Sequence, residues 1–279
     1  MHPAVSIARP ILLAPAGRPE AVPSLLAAGA DALYAGVRGW SRGGRGAGMT
    51  PEELRGAAGR CREAGSALAA AMNVVPGAAE LPAFLSTVER LAAAGVSGVI
   101  LSDPGVIRRV RAEFPLLPVT ASVGLSTVNP SDAAFCREIG AEAIVLPTAV
   151  APEEIPAIKA AGGLRVEVFV RCRPEVLLQG TCTLSGYARA AAPAPERPGS
   201  AAAGTAASAK RSGRCFLACR ALPLVASEHS IEDDLPRWIA CGADTFKVEG
   251  RELPLARMRD IVSRVRRKLD AAIAAAPPA

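Results

Sequence analysis

Of the seven cysteines in the 279-residue chain, four crowd one stretch: Cys172, Cys182, Cys215 and Cys219. They stand in RCRPEVLLQGTCTLSGYA and GRCFLACR, at spacings C-x9-C, C-x32-C and C-x3-C. Thiolates are ligands for zinc and for iron–sulfur clusters alike, so the set reads as a four-cysteine metal site. Cys61, Cys136 and Cys241 stand alone and read as small buried hydrophobes. A second group of polar residues falls where apolar runs end: Asn73, Asp103, Glu249 and Arg251. In TFKVE, Thr245, Lys247 and Glu249 alternate onto one face of a strand. A lysine and a carboxylate inside a core require partners, each other or a polar substrate. Gly43 to Thr50 has the G-x-x-x-x-G-x-T spacing of a phosphate loop, but Met49 replaces its lysine, which argues against nucleotide binding. Arg42 and Arg45 in the same loop are candidate anion ligands. There is no G-x-S-x-G and no H-E-x-x-H, and His2 and His229 are the chain's two histidines, so the usual parts of serine and zinc peptidases are missing.

The elements that must position these residues follow a repeating pattern. Short apolar runs at Ile11–Ala14, Ala32–Gly36, Leu68–Val74, Val96–Leu101, Pro118–Val123, Ala143–Leu146, Leu164–Val170 and Ala243–Val248 read as buried strands. Helical patterns separate them, the last from Leu255 to Ala275. The phrases AAGADALYAG, AAGVSGVILSD, EIGAEAIVLP and ACGADTFKVEG recur, each with a glycine where a helix stops and a strand begins. Thr50, Pro51 and Glu53 form a helix-start signature with a capping box. The alternation predicts a parallel β/α array, and eight units predict a single (β/α)8 TIM-type barrel over 1–279, with an open doubly wound sheet as the alternative. Active sites of such barrels occupy the loops after the strands. That rule sends the four clustered cysteines to the catalytic rim and the other three elsewhere. Residues 183–214 read as a low-complexity insertion after the seventh strand, rich in Ala, Pro, Ser and Gly.

Half of the residues are hydrophobic, aromatics are 4% and the formal charge is +6. This predicts a folded chain with an aliphatic core and a mild preference for anionic partners. No apolar run reaches the roughly 18 residues of a membrane span. The opening MHPAVSIARPILLAPAG lacks the form of a signal peptide, so a cytoplasmic location is expected.

LLAPAG, GADALYAG, the arginine-bearing loop before TPEEL, SDPG, EVFVRC, GTCTLSGY, GRCFLACR and GADTFKVEGR occur in an order that resembles the collagenase-like peptidase family, type U32, across essentially the whole chain. The resemblance implies one of several activities. The first is an oxygen-independent hydroxylase with a 4Fe-4S cluster, in ubiquinone or related aromatic and isoprenoid metabolism. The others are a collagenase-like peptidase, an RNA hydroxylation protein with prephenate as oxygen donor, and a noncatalytic partner in a sister-protein heterodimer. On this expectation Cys182, Cys215 and Cys219 match family cluster ligands, and Cys172 supplies the fourth, because Glu175 and Trp40 stand where family patterns have cysteine. Glu249, Arg251, Asp103 and Asn73 then serve as catalytic residues, with Arg45 and Lys247 binding a small-molecule substrate. RNA as a partner is suggested by the charge and by the arginine-rich helix from Arg257 to Lys268.

Overall fold

The computed structural model describes residues 9–42, 48–173 and 228–275, and the backbone of the short strands Leu177–Leu178 and Thr181–Cys182. Arg45, Cys215, Cys219, the side chain of Cys182 and the insertion 183–214 lie outside the described residues.

Strands β1 (Ile11–Pro15), β2 (Ala32–Gly36), β3 (Ala67–Met72), β4 (Gly98–Leu101), β5 (Val119–Ala121), β6 (Ala143–Val145) and β7 (Arg165–Cys172) follow one another as parallel neighbours. After β8 (Leu177–Leu178), β9 (Thr181–Cys182) and β10 (His229–Ser230), β11 (Thr245–Val248) inserts between β7 and β1, parallel to both. The β6–β7 pairing closes the ring, which makes a (β/α)8 barrel and excludes the open sheet. β10 adds antiparallel to β7, with His229 opposite Cys172. The apolar pattern of the sequence does not announce that short strand.

Helices α1 (Ala21–Ala27), α2 (Pro51–Glu63), α3 (Leu81–Ala94), α4 (Pro104–Glu113), α5 (Pro130–Glu138), α6 (Ile155–Gly162), α7 (Leu235–Ala240) and α8 (Leu255–Ala275) form the outer layer. Their starts obey local chemistry. The Thr50 hydroxyl accepts from Glu53 N at 3.2 Å, and the Glu53 carboxylate accepts from Thr50 N at 2.7 Å, completing the expected capping box. Asp103 caps α4 by accepting from Val106 N, and Asn129 caps α5 by accepting from Asp132 N. Gly95 ends α3 with φ +76°, a left-handed turn in which a side chain would be strained.

Strand alternation divides the apolar residues into two groups. Leu12, Leu33, Ala70, Leu101, Val168 and Phe246 pack outward against the helices in one large cluster. Leu13, Tyr34, Ala71 and Ile100 form a small separate cluster inside the barrel. On β7 and β11 the buried interior positions are instead polar or charged: Glu167, Thr245 and Lys247. The interior is thus apolar along β1–β4 and charged where β7 meets β11. Among the described residues, no helix is long and apolar enough to cross a membrane.

Candidate active site at the barrel mouth

A cavity of about 140 Å³ opens above this charged side, at the carboxyl ends of the strands. This is the rim where barrel loops carry chemistry. Four cationic side chains line it: Arg42, Arg173, Lys247 and Arg251. Among the described residues Glu249 is the lining carboxylate, and Tyr34, Asn73, Ser122, Ser126, Thr148 and Cys172 add polar or thiol groups.

Two ties hold the β2–α2 loop against the mouth. Arg42 N donates to Asn73 Oδ1 at 3.0 Å, and Arg251 Nη2 donates to the Arg42 carbonyl at 2.7 Å. Trp40 anchors the loop's other side, donating to the Thr87 hydroxyl at 3.1 Å and meeting the Phe84 ring edge-on at 5.1 Å. The position where a family pattern has cysteine is thus a packing anchor in this chain. Two glycines make room for Arg251. A Cβ on Gly36 would fall 2.5 Å from Arg251 Nη1, and one on Gly17 would overlap the Arg251 carbonyl.

Below the mouth, Lys247 Nζ lies 3.1 Å from Glu167 Oε2, with the two residues 5% and 7% exposed. Burying either charge without the other would be costly, so the pair is a condition of placing a lysine in the barrel. The Tyr34 ring faces both cations, with Lys247 Nζ 4.6 Å and the Arg251 guanidinium carbon 5.8 Å from its centroid. Its hydroxyl donates to the Val248 carbonyl at 3.0 Å, which fixes the ring. Glu249 accepts from Arg173 N at 3.2 Å, so the carboxylate bridges the ends of β11 and β7. Ser126, also on the lining, holds φ +55°, a left-handed conformation for a non-glycine residue.

The sequence-predicted residues separate accordingly. Asn73, Lys247, Glu249, Arg251 and Cys172 meet at the mouth. Asp103 spends its carboxylate on capping α4 and is not on the cavity lining. Cys61 and Cys136 are buried on α2 and α5, and Cys241 follows α7, half-buried. Burial pushes the Cys61 thiol up to about 11 and raises that of Cys136 as well. Tyr34, Glu167 and Arg173 are the contributors that sequence reasoning missed. Alternation alone marks Glu167, because it shares the interior face of R-V-E-V-F-V-R-C with Phe169.

The expected 4Fe-4S cluster requires correction. Among the described residues no group of three or more His, Cys, Asp or Glu side chains is placed to hold a metal ion. Cys172 is 4% exposed at the end of β7, where Arg173 and Glu249 share the lining with it. Cys182, Cys215 and Cys219, its expected co-ligands, belong to the residues whose side chains are not described. Among the described residues no donor set for a four-thiolate centre is assembled, and the reading as an iron–sulfur, oxygen-independent hydroxylase of ubiquinone metabolism falls with it.

Similarity to known proteins agrees with the barrel and narrows the family. The chain is 31% identical over 180 residues to tRNA hydroxylation protein P of Escherichia coli (strain K12), covering 64% of this chain and 40% of that protein. It is 24% identical over 285 residues to tRNA hydroxylation protein P1 of Bacillus subtilis (strain 168), covering 94% of this chain and 64% of the relative. It therefore spans less than two thirds of either relative's length. The solved structure titled "The Structure of the U32 Peptidase Mk0906" superposes with a TM-score of 0.59 at 16% identity, over 91% of this chain and 98% of that one, and shares the fold. The model of "Peptidase family U32" matches residues 17–279, and the chain belongs to that family.

Proposed function

We propose that the chain acts in tRNA hydroxylation and that its barrel mouth binds a small organic acid used in that reaction. The observation that carries the reading is the charge of the cavity: among the described residues four cationic side chains line it against one carboxylate, that of Glu249. A cavity so lined favours an anion, and a guanidinium such as that of Arg251 offers a carboxylate a two-pronged partner. Prephenate, implied as oxygen donor by the family resemblance, has the required chemistry.

The tRNA part of the reading is supported by the names of the relatives and by the basic surface beside the mouth. Arg18 lies on the loop after β1, and Arg257 and Arg259 lie in the first turns of α8, all exposed. Such side chains suit phosphate contacts, which position a nucleic acid without reading its sequence.

The test is the nucleoside content of tRNA from a bacterial strain lacking its own tRNA hydroxylation protein, with and without this chain. Nucleoside mass spectrometry is expected to show a gain of one oxygen on a tRNA nucleoside when the chain is present. Unchanged tRNA, together with cleavage of gelatin by the purified chain, would replace this reading with that of a peptidase.

A further inference from the structure

Arginine and lysine serve different chemistry, and this chain uses them unequally. Of its 32 basic residues four are lysines: Lys159, Lys210, Lys247 and Lys268. Lys159 is tied to Asp244 at 2.7 Å and to the Gly242 carbonyl at 2.9 Å, and Lys268 to Asp233 at 2.7 Å. Lys210 lies outside the described residues. Among the described residues Lys247 is the lysine at the barrel mouth, with three arginines around the same cavity. Arginine supplies fixed positive charge and does not become a neutral nucleophile, whereas lysine does once a base takes its proton.

We infer that Lys247 condenses with the carbonyl group of an α-keto acid held in this cavity, forming an imine. The inference rests on the reading that the mouth binds a small organic acid. Three placements support it. Lys247 Nζ sits 3.1 Å from a carboxylate oxygen of Glu167, within reach of proton transfer. Both groups are buried, which limits water around the reacting amine. Lys247 and Arg251 flank the same Tyr34 ring, so the carboxylate of a keto acid can pair with Arg251 while its neighbouring carbonyl carbon approaches Nζ.

The step balances without an outside oxidant or reductant. Glu167 takes a proton from the Lys247 ammonium. The amine's lone pair forms a bond to the carbonyl carbon, the carbonyl π pair moves to oxygen, and a proton passes from the now positive nitrogen to that oxygen to give a neutral carbinolamine. Glu167 returns its proton to the hydroxyl, the carbon–oxygen bond breaks, water leaves and a protonated imine remains. A simple charge-neutralising ion pair would perform none of these steps.

The test incubates the full chain with pyruvate and sodium cyanoborohydride, then maps the modified lysine by peptide mass spectrometry. Calorimetric titration with pyruvate, without the reductant, measures binding separately. The expected result is one reduced pyruvyl group per chain, on Lys247. It is absent from K247R and forms about a hundredfold more slowly in E167Q, the scale of a lost proton-transfer group. Circular dichroism checks the fold of both variants, and E167Q carries the test if K247R does not fold. Binding of pyruvate without an adduct on Lys247, or label spread equally over Lys159 and Lys268, overturns the imine and leaves the anion cavity standing. Neither binding nor adduct overturns both.

Discussion

Arg251 reaches back across the mouth and donates a 2.7 Å hydrogen bond to the carbonyl of Arg42, 209 residues earlier in the chain. The contact joins the loop after the last barrel strand to the loop after the second. It completes the wall of the cavity from two ends of the sequence, and it leaves the remaining guanidinium nitrogens for other partners. Replacing Arg251 by methionine keeps much of its bulk but removes the donor and the charge. The R251M variant is expected to bind prephenate at least tenfold more weakly, given the roughly 1.5–3 kcal/mol that a charge-assisted hydrogen bond contributes. Calorimetric titration checks this, and unchanged affinity would remove Arg251 from the binding site.

Gly36 tests the same wall from the other side. Its missing side chain leaves room for Arg251 Nη1 and for Ser41. G36A should displace both, costing about 1–3 kcal/mol of stability as overpacking does. Binding should fall along with melting temperature. A variant that loses stability but binds normally would show that Arg251 need not hold its observed position.

Acid stability should depend on Glu232. Arg264 grips its carboxylate twice, at 2.9 and 3.1 Å, and Arg171 and Lys268 stand near it. The Arg264 hydrogen bonds hold the Glu232 carboxyl below the ordinary value of 4.5, against an opposing push from burial. A folded-state value below the unfolded one stabilises the fold above pH 4.5, and the contribution disappears as pH falls through the lowered value. E232Q should therefore be less stable than the parent at neutral pH, with the gap closing in acid. Urea unfolding across pH 3–7 measures the gap, and a gap that stays constant with pH would contradict the account.

The buried thiols should be inert. With the Cys61 thiol pushed up to about 11 by burial, roughly one molecule in a thousand carries the thiolate at pH 8. Cys61 and Cys136 should resist iodoacetamide in the folded chain and react on unfolding in urea, as peptide mapping would show. Rapid labelling of either in the native state would place them outside the packed helical layer.

The barrel is legible in the sequence because each helix-to-strand phrase carries its own glycine stop and buried run. The capping box at Thr50 and Glu53 is legible for the same reason, since its chemistry is local. Lys247 can be placed on the interior by counting along TFKVE. Its pairing with Glu167 cannot be read that way, because the two meet only through the β7–β11 register, which sets Thr245 against Glu167 and Lys247 against Phe169. Asp103 is ambiguous for a related reason. A polar residue at a strand end resembles a site residue, although an aspartate directly before Pro104 also fits a helix cap. Spacing brings Cys172 to the rim but does not determine which side chains surround it there.

The central claim is that tRNA hydroxylation depends on this cavity. The most direct test supplies the parent chain, R251M or R108A to the strain without its own tRNA hydroxylation protein, and compares tRNA nucleosides by mass spectrometry. Arg108 is exposed on α4, away from the cavity lining, and serves as the control. The account predicts that the parent and R108A add one oxygen and that folded R251M does not. Full modification by R251M would contradict it.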